Sequence, residues 1–233
     1  MPTQNDQAIH MNSHLLCAID IEWSGLRPYY HDIIEICIMP LTSTFEPLKT
    51  IMPFTVPIRP RYIDRIDREN MSVTQDHLIH IMKYGVDHYT AGEMFLQWFE
   101  KLKLKRTKKI VPLTYSWPEV RPYIWDWLGA LNADSCFDYR YRDILSTANF
   151  LNDYNDWHIE NCPIPKLHFE YICSSMKVDL IRPKLVMTNC KAIGEVYKAM
   201  LSDSIIHLPP MPTAIARQEE NLQSYEIDSM SGD

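Results

Sequence analysis

Two carboxylates at the end of an apolar run are the side chains of this sequence that point most directly to chemistry. The segment LLCAIDIEWSGL is mostly apolar up to Asp20, which is typical of a buried strand, and Ser24-Gly25 marks a turn after it. Because strand side chains alternate, Asp20 and Glu22 are predicted to share one face at the strand end. Carboxylates this close repel each other and are commonly held by a divalent cation. The alternative is that both acids are solvated at an exposed strand end.

The apolar patterns around this pair predict the elements that must position it. Two further strands are predicted over residues 32–41 and 54–58, and their short connections favour an antiparallel sheet. After a long polar connection, Thr90 and Glu93 form a capping box that predicts the start of a helix. Next come a strand over 110–113 and helices over 120–131, 142–151, 166–176 and 187–201. This order suits an α/β domain with a mixed sheet and helices on both faces.

Composition predicts one globular domain over residues 14–208 of the 233, preceded by a disordered lead-in over 1–13 and followed by a flexible acidic tail over 209–233. No apolar run approaches the roughly 20 residues of a membrane span. The N-terminal sequence has no export pattern, so we expect a cytoplasmic protein without a membrane partner. The six cysteines include no Cys-x-x-Cys pair and are predicted to be reduced core thiols.

The net charge of −7 argues against nonspecific coating of nucleic acid. A local basic strip over residues 101–109 could nevertheless follow a phosphate backbone, or be a solvated helix end and loop. The aromatic residues Trp23, Tyr115 and Trp117 are candidate substrate-binding residues, because bases of single strands stack on such rings. One hypothesis is that the strip and these rings line a common groove; the alternative is that the rings are core residues.

Four stretches in order resemble the DEDD (DnaQ-like) superfamily of 3′–5′ exonucleases over about residues 15–201. They are IDIEWSGL, VPLTYSWPEVRPYIWDWLG, FDYRYRDILSTANFLND and KLVMTNCKAIGEVYKAML. The resemblance implies a ribonuclease H-like fold, in which a central mixed sheet of five strands, the first three antiparallel, is flanked by helices. It also implies that Asp20 and Glu22 stand at two metal-ligand positions.

The other family positions are altered in this sequence. A metal-binding Asp of the family aligns with Val120, the last metal-binding Asp with Asn189, and the catalytic general-base His with Lys184. Asn189 offers only a neutral carbonyl oxygen, and an ammonium group is not a base at neutral pH unless its pKa is strongly depressed. Glu119 is a substitute metal ligand only if the helix is distorted, because it is rotated by about 100° from Val120. Asp143 is predicted to be a helix cap or an ion-pair partner of neighbouring arginines.

Two functions follow from this pattern. The first is an exonuclease-like protein with impaired or lost catalysis that binds single-stranded nucleic acid or a protein partner. The second is an active exonuclease on single-stranded DNA or RNA ends that uses Mg²⁺ or Mn²⁺. Lys184 is predicted either to form an ion pair with Asp20 or Glu22, in place of the metals, or to be solvated outside the site.

Overall fold

The strand that carries both carboxylates lies at the centre of the sheet. In the computed structural model, which describes residues 14–157, 164–180 and 185–202, β1 (Leu15–Trp23) is flanked by β2 (Ile33–Pro40) and β4 (Ile110–Thr114). The strand order is β3-β2-β1-β4-β5, with β3 at Phe54–Pro57 and β5 at Arg142–Asp143. The first three strands are antiparallel, while β4 and β5 run parallel to β1. The predicted mixed five-stranded sheet is confirmed.

Seven α-helices and a short 3-10 helix at Ile63–Arg65 complete the described part of the chain. The α-helices are α1 (Gln75–Tyr84), α2 (His88–Lys101), α3 (Trp117–Leu128), α4 (Ala130–Cys136), α5 (Ile144–Trp157), α6 (Phe169–Ser175) and α7 (Val186–Met200). Alternating apolar residues of β1 and β2 pack with the buried stripes of α2 and α3, and α7 packs against β1 and β2. None of the described helices is long and apolar enough to cross a membrane.

Several boundaries differ from the sequence prediction. The helix predicted over 120–131 begins at Trp117 and ends at Leu128, before Gly129. Helix α2 begins at His88, because Asp87 accepts the backbone N–H of Thr90 and is the N-cap in place of Thr90. Arg142 and Asp143 are not helical; they pair with β4 as the short edge strand β5. The helix predicted over 166–176 begins only at Phe169. The predicted lead-in over 1–13, the tail over 209–233 and Lys184 lie outside the described residues.

The cysteine prediction is confirmed for the described part of the chain. Cys17, Cys37, Cys136, Cys173 and Cys190 are buried and free. The Cys190 thiol lies 3.5 Å from the carbonyl oxygen of Ala18 and 3.4 Å from that of Cys37. These contacts hold the first half of α7 against the strand that carries Asp20.

A close approach at Gly194 sets the other half of α7 against the loop after β2. A Cβ atom at this position would lie 2.5 Å from the carbonyl oxygen of Phe45. We therefore expect Gly194→Ala to lower the free energy of unfolding by roughly 1–3 kcal/mol, because overpacking outweighs the higher helix propensity of alanine. Chemical denaturation measures the change.

The matched control is Gly92→Ala on α2, where the nearest atoms to the added Cβ would lie 3.9 Å away. This variant should gain about 0.5–1 kcal/mol from helix propensity alone. Equal effects of the two substitutions would show that α7 does not depend on the contact with Phe45.

Candidate functional site

A cleft of about 200 Å³ opens beyond the C-terminal ends of β1 and β4. Its walls come from the end of β1, the start of α3, the start of α6 and the first turn of α7. The lining residues are Asp20, Ile21, Glu22, Trp23, Ser72, Tyr115, Ser116, Glu119, Val120, Phe169, Glu170, Leu180 and Asn189. The cleft therefore combines residues of the first, second and fourth stretches with Ser72, Phe169, Glu170 and Leu180, which lie outside all four stretches.

Asp20 is hydrogen-bonded to Asn189, the residue that the sequence resemblance aligns with a carboxylate of the superfamily. The Asn189 amide nitrogen donates a hydrogen bond of 2.9 Å to Asp20 Oδ2. Burial raises the pKa of Asp20 to about 7, although the hydrogen bond from Asn189 acts in the opposite direction. The Asn189 amide thus provides a hydrogen bond to a carboxyl group whose ionisation is disfavoured by burial.

Glu22 lies deeper than Asp20, with 4% of its surface exposed. Across the sheet it stands directly opposite Glu35 of β2. Burial raises the pKa of Glu35 to about 7, and its Oε2 lies 3.2 Å from Nε2 of His77. Sequence reasoning missed Glu35, because antiparallel register alone makes it a neighbour of Glu22.

Glu119 and Val120 are adjacent on α3 and differ in exposure. Both Glu119 and Val120 line the cleft, and Glu119 is exposed while Val120 is 7% exposed. Glu119 therefore lines the cleft from the first turn of α3, and its role as a substitute metal ligand stays a prediction.

The three candidate aromatic residues lie in two different environments. Trp23 and Tyr115 line the cleft. The ring centres of Trp23 and Tyr123 are stacked 5.8 Å apart, and those of Tyr115 and Phe169 lie 5.6 Å apart. The indole nitrogen of Trp23 is buried and has no hydrogen-bond partner among the described residues. Trp117, in contrast, is 3% exposed and belongs to the core cluster under α3. The prediction that Trp117 contacts substrate is therefore corrected, because Trp117 is a core residue, as the alternative stated.

Asp143 positions the start of α3. Its Oδ2 accepts the backbone N–H of Trp117 at 2.6 Å, and its Oδ1 accepts that of Ser146 at 2.7 Å. Asp143 is 5% exposed and caps the N-terminus of α5, as the sequence predicted. The same carboxylate also binds the N-terminal end of α3. Through this contact, the edge strand β5 sets where Ser116, Glu119 and Val120 meet the cleft.

The described donors do not fit the two-metal centre of the superfamily. Such a centre needs about four carboxylates, whereas no group of three or more His, Cys, Asp or Glu side chains in the described ranges could hold a metal ion. Val120 contributes no ligand atom. Asn189 Oδ1 is buried without a described partner, but the amide nitrogen of the same side chain already binds Asp20.

The basic strip over residues 101–109 lies at the other end of the sheet. β4 begins at Ile110, which stands beside Leu15 at the start of β1, whereas the cleft lies beyond the opposite ends of both strands. The five residues of β4 separate the two regions by about 16 Å. The strip and the cleft aromatics therefore do not line a common groove.

Sequence comparisons give no match, since no family model and no curated protein matches the chain significantly. A comparison with solved structures does give matches. The chain is similar to the nuclease domain of 3′hExo, a DEDDh family member bound to rAMP, with 16% identity and a TM-score of 0.51 over 88% of this chain and 96% of that one.

Two further similar structures come from longer proteins. One is a 3′-exonuclease described by its 3′-end specific recognition of a histone mRNA stem-loop, with 16% identity, a TM-score of 0.53 and coverage of 82% of this chain and 64% of that one. The other is E. coli Exonuclease I in complex with a dT13 oligonucleotide, with 13% identity, a TM-score of 0.58 and coverage of 90% and 43%. The chain thus spans less than two thirds of the length of both. These likenesses show the fold of the DnaQ-like 3′–5′ exonuclease superfamily, as the four sequence stretches predicted.

Proposed function

We propose that this chain, with the fold of DnaQ-like 3′–5′ exonucleases, is a hydrolytically impaired member of that fold that binds single-stranded nucleic acid. The hydrogen bond from Asn189 to Asp20 carries the proposal. In a working two-metal site, that carboxylate oxygen faces a cation, and a neutral amide cannot replace the charge that stabilises the transition state. Binding is supported by the fold, since similar structures hold rAMP and dT13, and by the aromatic rings of Trp23 and Tyr115 in the cleft.

A second candidate function is an active exonuclease on single-stranded DNA or RNA ends with Mg²⁺ or Mn²⁺ as cofactor. Glu119 favours it, because this carboxylate lines the cleft together with Asp20 and Glu22. The arrangement of these acids argues against an active enzyme, because they do not form a three-residue metal-binding group among the described residues. The alignment of Lys184 with the catalytic base remains a prediction from the sequence, and so do its two alternative places, in an ion pair with Asp20 or Glu22 or solvated outside the site.

A nuclease assay separates the two functions. We expect the wild-type protein to leave end-labelled single-stranded RNA and DNA of about 20 nucleotides intact in Mg²⁺ or Mn²⁺, and to bind the same strands in EDTA with micromolar affinity. Gel electrophoresis measures the first result and fluorescence anisotropy the second.

Asp20→Ala is the control for this assay. Digestion by the wild type that Asp20→Ala abolishes would establish the active enzyme and refute the impaired one. A protein that neither digests nor binds the strands would refute nucleic-acid binding, and a protein partner would then be the function to seek.

A further inference from the structure

A row of alternating arginine and tyrosine side chains lies on the surface next to the cleft. In order it consists of Arg27, Tyr30, Arg65, Tyr62 and Arg61, here called the Arg–Tyr row. The Arg65 guanidinium carbon lies 3.8 Å from the ring centre of Tyr62 and 4.9 Å from that of Tyr30. Arg27 lies 5.5 Å from the Tyr30 ring and Arg61 5.8 Å from the Tyr62 ring. Tyr30 and Tyr62 are 45% and 43% exposed.

Two segments that meet at the cleft hold the row. Residues 24–32 follow Trp23, and residues 59–71 precede Ser72; both Trp23 and Ser72 line the cleft. The segments are joined there, since Ser72 Oγ accepts the N–H of Trp23 at 2.7 Å and the carbonyl oxygen of Ser24 accepts the N–H of Asp67 at 2.8 Å. The two segments that carry the row are therefore joined at the cleft wall.

The backbone beneath the row is fixed by buried polar contacts. Asp32, 2% exposed, accepts hydrogen bonds of 2.7 Å from both the backbone N–H and the Nε of Arg61, and Arg61 also contacts Asp126. On the other segment, His31 Nδ1 accepts the N–H of Arg27 at 2.9 Å. These contacts hold the row in place before any ligand arrives, which reduces the entropic cost of binding.

Charge distinguishes the row from the cleft. The described cleft residues include Asp20, Glu22, Glu119 and Glu170, and none of them is a lysine, arginine or histidine. In the row, neither Arg27 nor Arg65 forms an ion pair with any described carboxylate. Their guanidinium groups remain available to phosphates.

We propose that the Arg–Tyr row binds single-stranded nucleic acid, with bases contacting the exposed parts of the Tyr30 and Tyr62 rings and phosphates held by Arg27 and Arg65. Half-exposed rings between guanidinium groups offer both the stacking faces and the cations that single strands require. The inference rests on the proposed function and names the surface at which the single strand binds.

Anisotropy with a labelled single strand of about 20 nucleotides in EDTA tests the surface. We expect the double substitution Tyr62→Leu/Arg65→Ala to weaken binding by about tenfold or more, and Arg65→Lys to weaken it less, because the charge remains while the guanidinium plane is lost. Arg27→Gln should lower the slope of log affinity against log salt by about 0.7, since one phosphate contact is lost.

The matched control is Lys83→Ala/Tyr84→Leu, which removes a similar pair on α1 whose ammonium lies 4.9 Å from the ring centre. Circular dichroism melting verifies that all variants fold. A wild type that binds no strand refutes both the proposed function and the row. A wild type that binds, with row variants that bind equally well, refutes only the row. Equal displacement by polyglutamate, which has no bases, would refute stacking and assign the row to acidic proteins.

Discussion

The double variant Val120→Asp/Asn189→Asp is expected to bind Mn²⁺ at least about tenfold more tightly than the wild-type protein, because the charge of a ligand set largely sets its affinity for a divalent cation. Asn189→Asp removes the amide that donates to Asp20, and Val120→Asp adds a carboxylate to the cleft wall. Isothermal titration calorimetry measures the affinity.

The same variant should be less stable than the wild type without metal. Val120 is 7% exposed, so a carboxylate there is partly desolvated beside Asp20 and Glu22. We expect a loss of roughly 2–4 kcal/mol in the free energy of unfolding, of which Mn²⁺ restores a part through binding to the folded state. Thermal unfolding with and without Mn²⁺ detects this dependence.

Val120→Asn/Asn189→Asp is the matched control, since it has nearly the same shape with one carboxylate fewer. Its gain in affinity should be smaller than that of the double aspartate variant. Equal Mn²⁺ affinity of the wild type and both variants would show that Val120 and Asn189 do not limit metal binding, and would remove the physical basis of the impaired site.

Asp143→Ala is expected to have the largest effect on stability of any single substitution considered. The buried carboxylate accepts the N–H groups of Trp117 and Ser146, which belong to the first turns of α3 and α5. Its removal leaves helix-terminal N–H groups without a partner, at a cost of roughly 3 kcal/mol. For a domain of this size, that corresponds to a fall of roughly 6–12 °C in melting temperature.

Asp153→Ala is the control, because Asp153 is exposed on the same helix, α5. It should change the free energy of unfolding by about 0.5 kcal/mol or less. If Asp143→Ala unfolds at the same temperature as this control, the contact between the two helix ends does not hold the start of α3, and the position of Glu119 must be set by another contact.

Apolar runs of strand length and helical apolar patterns were sufficient to identify the strands β1 to β4 and the helices α2, α3 and α7. In β1 and β2 the reason is burial, since strands packed on both faces read as nearly continuous apolar runs, and their short length distinguishes them from helices. The edge strand β5 escaped detection. A two-residue strand has no period of its own, and Arg142 and Asp143 pair only because β4 lies beside them.

At the site, local sequence determined that Asp20 and Glu22 share a strand face, because alternation is a property of the backbone alone. The motif spacing also identified Val120 and Asn189 as departures from the exonuclease pattern. Tertiary structure decided the rest: that the Asn189 amide binds Asp20, that Glu119 lines the cleft, that Trp117 is core and that Glu35 stands opposite Glu22. These relations join residues far apart in the chain, and their distances depend on strand register and helix placement, which no local pattern encodes.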